Sequence, residues 1–154
     1  MNAGAVVYKK EWSEADFDRM DWHDVHIHAM AAVSDRFELR LDIDYIFEWL
    51  CFPSKSGPTT FRIAPATLIF RNTGRFKARF DSQQGLATIN EITRTTRERL
   101  PGGSVDTWDW KIKCHDGEIS FEASGFRMVL RAPPLLVEVQ YLNSQQRGLP
   151  SLQG

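Results

Sequence analysis

The 154-residue chain has little of what marks a specialised class. It carries two cysteines, Cys51 and Cys114, too few for a disulfide framework. Both thiols are expected to be reduced, which suits a cytoplasmic address. No apolar run approaches the ~20 residues of a membrane span, so no membrane partner is expected. Met1 to Lys10 has only Ala5-Val6-Val7 as an apolar run, followed by its basic pair, and does not read as a secretory signal. No serine stands in a G-x-S-x-G context. Pro101-Gly102-Gly103 lacks the lysine and helix that a phosphate loop requires. A net charge of −1 and a pI near 6.4 give no basic excess, and nucleic acid is disfavoured as a partner. Neither composition nor motif names an activity.

What is present is an ordinary globular balance: 42% hydrophobic and 25% charged residues. One domain over residues 1–154 is expected, with a core at about 12–131 and a polar tail at about 143–154. Charge is unevenly spread. Residues 11–50 hold eleven acids and three bases, whereas residues 61–100 hold eight bases and three acids. Either the two stretches neutralise each other or one or both of them face a partner.

Ser13-Glu14-Ala15-Asp16 has the form of a helix start, with Trp12 placed to staple onto Phe17, and predicts a short helix at about 13–20. From Val25 the apolar period becomes two. Val25, Ile27, Ala29 and Ala31 alternate with Asp24, His26, His28 and Met30, and Phe37, Leu39, Leu41, Ile43, Tyr45 and Phe47 alternate with Glu38, Arg40, Asp42, Asp44 and Ile46. This predicts a long hairpin with one wet face. A Val33–Asp35 loop would set Ile27 against Leu41, His26 against Asp42 and His28 against Arg40; a loop two residues longer keeps the same parity. Phe61–Phe70 reads as a strand with Pro65 at an edge or bulge. Asn72-Thr73-Gly74 would fold it back onto Phe76, Ala78 and Phe80. Residues 86–99 read as strand. Asp116-Gly117 suits a hairpin turn, setting Cys114 opposite Ile119, Ile112 opposite Phe121 and Lys111 opposite Glu122. The apolar parity then shifts at Gly125, and Leu135–Leu142 could cover an edge. The fold class is all-β: an antiparallel sandwich or a curved, partly closed barrel of seven to eight strands with one short N-terminal helix.

The densest polar cluster is on the first hairpin. Asp24, His26 and His28 are expected on one face with Arg40, Asp42 and Asp44 beside them, and Trp22 and Trp49 near the open end. These eight residues form the candidate binding face. Two histidines at i and i+2 with facing carboxylates could hold a divalent metal, with His26, His28 and Asp42 as first ligands and Asp44 nearby. Arg40 in their midst weighs against it. His23 and Asp24, adjacent on a strand, should point to opposite faces and not bond each other. Cys114 should lie on the apolar side and be inert.

Three strings, Trp22-His23-Asp24-x-x-Ile27-His28, Asp42-Ile43-Asp44-Tyr45-Ile46 and Ala64-Pro65-Ala66-Thr67-Leu68, resemble a family of small, uncharacterised bacterial proteins over residues 12–131. The resemblance brings no activity, so it implies no catalytic residue. In size and one-domain layout the chain is also similar to the antitoxin-type immunity proteins of bacterial toxin systems. The expectation is a non-enzymatic cytoplasmic binding domain with a protein partner and no organic cofactor; a homo-oligomer is compatible. The alternative is a metal-binding or metal-dependent enzyme using His26, His28, Asp42 and Asp44.

Overall fold

The computed structural model describes residues 9–50, 59–85, 87–96 and 107–148. Cys51, the Pro53–Pro58 loop, Pro101–Gly103 and the end of the polar tail lie outside the described residues. The strands are β1 (Glu11–Ser13), β2 (His26–Val33), β3 (Glu38–Leu50), β4 (Thr60–Arg71), β5 (Gly74–Phe80), β6 (Ala87–Thr96), β7 (Trp108–Cys114), β8 (Gly117–Ala123), β9 (Gly125–Leu130) and β10 (Leu135–Val137). Two four-residue helices, α1 (Glu14–Phe17) and α2 (Ser144–Arg147), and a 3-10 turn at Ser34–Arg36 between β2 and β3 complete the described elements. The fold is all-β and antiparallel. Hydrogen-bonded strands run β1-β9-β4-β3-β2-β6-β7-β8-β5, with β10 also on β4, and the ends do not close. Two strands beyond the expected seven or eight are the three-residue pieces β1 and β10, too short to leave a periodic signal.

The long sheet folds over at the brief β2–β6 contact, where only His26↔Thr88 and Ile27↔Ala87 pair. The β1-β9-β4-β3-β2 half then packs on the β6-β7-β8-β5 half. Alternating apolar residues of each half supply the core between them. Phe70 of β4 meets Trp110 of β7 and Phe121 of β8 at ring distances of 5.0 and 4.7 Å. Phe17 of α1 caps this cluster against Trp110 and Phe126.

Several local expectations shift. The helix is four residues rather than eight, stopped after Phe17 has entered the core. Trp12 packs on Phe47 instead of stapling to Phe17. β4 does not pair with β5: the Asn72–Gly74 turn carries the chain across to the other half, where β5 pairs with β8. In the β7–β8 hairpin the faces are as expected, but the register is two residues tighter. Cys114 pairs with Gly117, Ile112 with Ile119 and Lys111 with Ser120. The turn residues are therefore His115-Asp116, because Gly117 lies in the strand against Phe80 and the Arg79 carbonyl. Pro65 sits inside the sheet, not at an edge. On one side of β4, β10 pairs up to Ile63 and β9 begins at Ala66. The Pro65 carbonyl accepts from Arg131 N–H on that side, so the absent proline N–H falls in the gap between those two strands.

Candidate functional site

The first hairpin keeps the expected parity at its open end, in the register of the longer loop. His26 pairs with Asp44 and Ile27 with Ile43. At His28 a bulge inserts one residue, and beyond it Ala29 pairs with Asp42 and Ala31 with Arg40. A bulge re-aims its side chain, and here it turns His28 into the carboxylates of β3.

That face is not wet. Asp42 and Asp44 are both 0% exposed, which overturns the expectation of a solvated acidic surface. The segment after β10 crosses this side of the sheet and covers it. A buried carboxylate is costly unless paired and hydrogen-bonded, and both are supplied. Asp42 Oδ1 accepts from Thr67 Oγ1 at 2.7 Å, with Arg131 Nε 3.9 Å away. Asp44 accepts from the Leu142 backbone N–H at 3.0 Å and from a fork of Arg147, Nε at 3.3 Å and Nη2 at 3.1 Å. Arg147 Nη2 also donates to the Leu142 carbonyl at 2.7 Å. Asn143 and Gln146 cap α2 reciprocally, each side chain accepting from the other's backbone N–H at 2.9 Å. The C-terminal segment is thus latched onto Asp44, with Leu142 buried behind it.

His28, with a side chain 6% exposed, lies between the two pairs. Its Nε2 is 3.2 Å from Arg131 Nη2 and 3.6 Å from Asp44 Oδ1. Arginine can only donate, so Nε2 accepts and the ring proton is on Nδ1. Burial first, then the Arg147 guanidinium, pushes the His28 pKa down from 6.5 to about 4. Burial likewise lowers that of His26. A cation on His28 and Asp42 would have to displace a guanidinium. Among the described residues, no group of three or more His, Cys, Asp or Glu side chains is arranged to hold a metal ion. Arg40 lies apart from the cluster and bonds Glu38 through Nε and Nη2 at 3.0 and 2.9 Å.

A second, exposed constellation stands at the open end. Asp24 adopts a left-handed backbone, φ 63°, which an aspartate tolerates. Strand alternation therefore has not begun at this residue, and His23 and Asp24 do meet: Nδ1 lies 3.1 Å from Oδ2, contrary to the expectation. The Asp24 N–H donates to the Ile89 carbonyl, and the His115 N–H to the Thr88 carbonyl, which docks the β7–β8 turn alongside. His115 Nε2 then lies 3.6 Å from Asp24 Oδ1, and Gln140 Nε2 donates to Oδ2 at 3.1 Å. Two aromatic rings flank this group. Trp49 is 6.2 Å from the His23 ring and Tyr141 is 6.1 Å from the His26 ring. Trp49 is 46% and Tyr141 54% exposed.

Of the eight candidate residues, the structure gathers His28, Asp42 and Asp44 in the buried network and Asp24, His26 and Trp49 at the rim. Trp22 is a core residue against Phe17, Tyr45 and Phe126. Sequence reasoning missed Thr67, Arg131, Gln140, Tyr141 and Arg147. One signal could have found them: Phe61–Phe70 shows no alternation, and a strand apolar on both faces is covered on both. Cys114 is buried, and burial raises its thiol pKa to about 11, where it is inert. No helix among the described residues is long and apolar enough to cross a membrane. A scan against protein-family models returns no match, and no curated protein matches the chain.

Proposed function

We propose that the chain is a non-enzymatic, cytoplasmic binding domain whose partner is a protein held at the Asp24 rim. The carrying observation is the exposed pair Trp49 and Tyr141 flanking a carboxylate that two imidazoles and an amide already orient. Exposed Trp and Tyr are the side chains that most often anchor protein interfaces. Asp24, with His23 and His115 largely exposed beside it, suits a lysine or arginine entering between the two rings. The buried network beneath acts as a fixed platform, because Asp44 ties the rim-bearing segment to β3. A protein partner is also what the likeness to immunity proteins implies.

The test is native mass spectrometry of untagged protein, followed by partner capture with wild type, W49A/Y141A and D24K. A bare mass, and a partner retained by wild type but lost from both variants, supports the reading. Stoichiometric metal would overturn it in favour of the metal-dependent alternative at His26, His28, Asp42 and Asp44. A partner held equally by all three proteins would overturn the rim as the site.

A further inference from the structure

Among the described residues, one edge of β5 is the other feature that the fold leaves unused. β5 pairs with β8 on one side and with no strand among the described residues on the other. Six of its seven residues, Arg75 to Phe80, are exposed. An open edge of this length is a template for another strand.

The neighbouring strands say what chemistry that strand should carry. On the outer face of this half-sheet the charge alternates from strand to strand. β6 offers Glu91, β7 offers Lys111 and Lys113 with Asp109 at its start, β8 offers Glu118 and Glu122, and β5 offers Arg75, Lys77 and Arg79. Each step is bridged: Lys113–Glu91 at 3.0 Å, Lys111–Glu118 at 3.8 Å and Arg75–Glu122 at 3.1 Å. Opposite charges across adjacent strands stabilise pairing and like charges oppose it. The next strand in this order is acidic. On the inner side, Ala78 pairs with the core residue Ile119, and Phe80 stays exposed at 37%, so the added strand should alternate its acids with apolar residues.

A second copy of this chain does not fit. An antiparallel β5–β5 pair centred on Lys77 would set Lys77 against Lys77 and Arg75 against Arg79, all of one sign. We infer that the β5 edge accepts, by strand addition, an extended segment of another protein in which acidic residues alternate with apolar ones. This surface is separate from the Asp24 rim, and either can fail without the other.

The test uses an end-blocked peptide of about nine alternating glutamate and valine residues, with a lysine–valine peptide as control. Amide exchange of the full chain is mapped with and without each peptide. The expected result is new protection confined to Arg75–Phe80 with the glutamate peptide, and affinity about tenfold above the lysine peptide, the equivalent of three cross-strand charge pairs. In K77E/R79E, which leaves the Arg75–Glu122 pair in place, the preference should invert; K77Q/R79Q serves if the reversal does not fold, and should abolish the preference. The inference is overturned by any of four results: no binding at peptide concentrations up to about 1 mM, equal binding of both peptides, protection that maps elsewhere, or a β5 edge already protected in the free protein by a second copy or by the chain itself.

Discussion

Acidification should unlatch this protein before its carboxylates are exhausted, and His28 is the reason. In the fold its Nε2 accepts from Arg131 and is held neutral between two guanidinium groups, with a pKa of about 4; unfolded, the same ring titrates near 6.5. Between those values the unfolded chain binds the extra proton, so stability is full above about pH 6.5 and falls as the pH drops towards 4. At 1.36 kcal/mol per unit, the difference is worth about 3 kcal/mol across the window. For a chain of this size that corresponds to a fall of about 6–12 °C in melting temperature. Structurally, a proton on Nε2 turns the ring from an acceptor facing Arg131 into a donor facing Asp44. The assay is urea unfolding followed by tryptophan fluorescence from about pH 7 to about pH 4.5, on wild type and H28Q. Glutamine cannot titrate, yet its amide oxygen can still accept from Arg131. Background carboxylates and His26 are common to both proteins, so the difference curve isolates His28. Wild type should lose most of the 3 kcal/mol relative to H28Q over that range. Parallel curves, agreeing within about 0.5 kcal/mol, would refute the reasoning, as would a wild-type stability that rises on acidification.

Two other substitutions probe the same architecture. Asp44→Ala removes the acceptor of the Arg147 fork and of the Leu142 N–H; it should cost about 3–5 kcal/mol in urea unfolding and raise amide exchange over residues 139–147, and a loss below about 1 kcal/mol would show that the latch is not structural. Gly117→Ala would drive its methyl into the Arg79 carbonyl and the Phe80 ring and should cost about 1–3 kcal/mol, whereas Gly125→Ala, whose methyl would rest 3.6 Å from Arg71 Cβ, should stay within about 0.5 kcal/mol of wild type.

The fold class was legible because alternation is local. β3, β7 and β8 each show their period over seven or more residues, and the faces they imply are those observed; in β2 the implied face holds only up to the bulge at His28, beyond which Ala29 and Ala31 lie beside Asp42 and Arg40. Register was less legible. It depends on which residues form the turn, and the His115-Asp116 and Ser34–Phe37 turns each differ from the expected loop. Pairing partners distant in sequence were least legible: nothing near Asn72–Gly74 shows that β4 pairs with β9 and β5 with β8, because adjacency in the chain favours a hairpin there. At the site, Asp24, His26, His28, Asp42 and Asp44 stood out as a group. Their separation into a buried network and an exposed rim was not visible, since it rests on a bulge at His28 and a left-handed Asp24 that no residue type dictates.

The misjudged wet face has a physical lesson in β4. A hairpin with alternating polar residues is read as half-solvated only if its neighbours alternate too. β4 lies directly beside β3, and its run from Phe61 to Phe70 is apolar on both sides, with Ile63 and Ile69 sharing the row of Thr67 and facing the same way as Asp42 and Asp44. Leaving that row in water would expose two isoleucines, at about 1.5–3 kcal/mol each. Covering it buries two carboxylates, which is tolerable only if cations come with the cover. The stretch after β9 meets both demands: Leu142 adds apolar area, while Arg131 and Arg147 bring the charge that Asp42 and Asp44 require. The acidity of residues 11–50 is therefore partly internal. Nine of its eleven acids remain exposed or half-buried, and of these Asp24 is flanked by two imidazoles, those of His23 and His115.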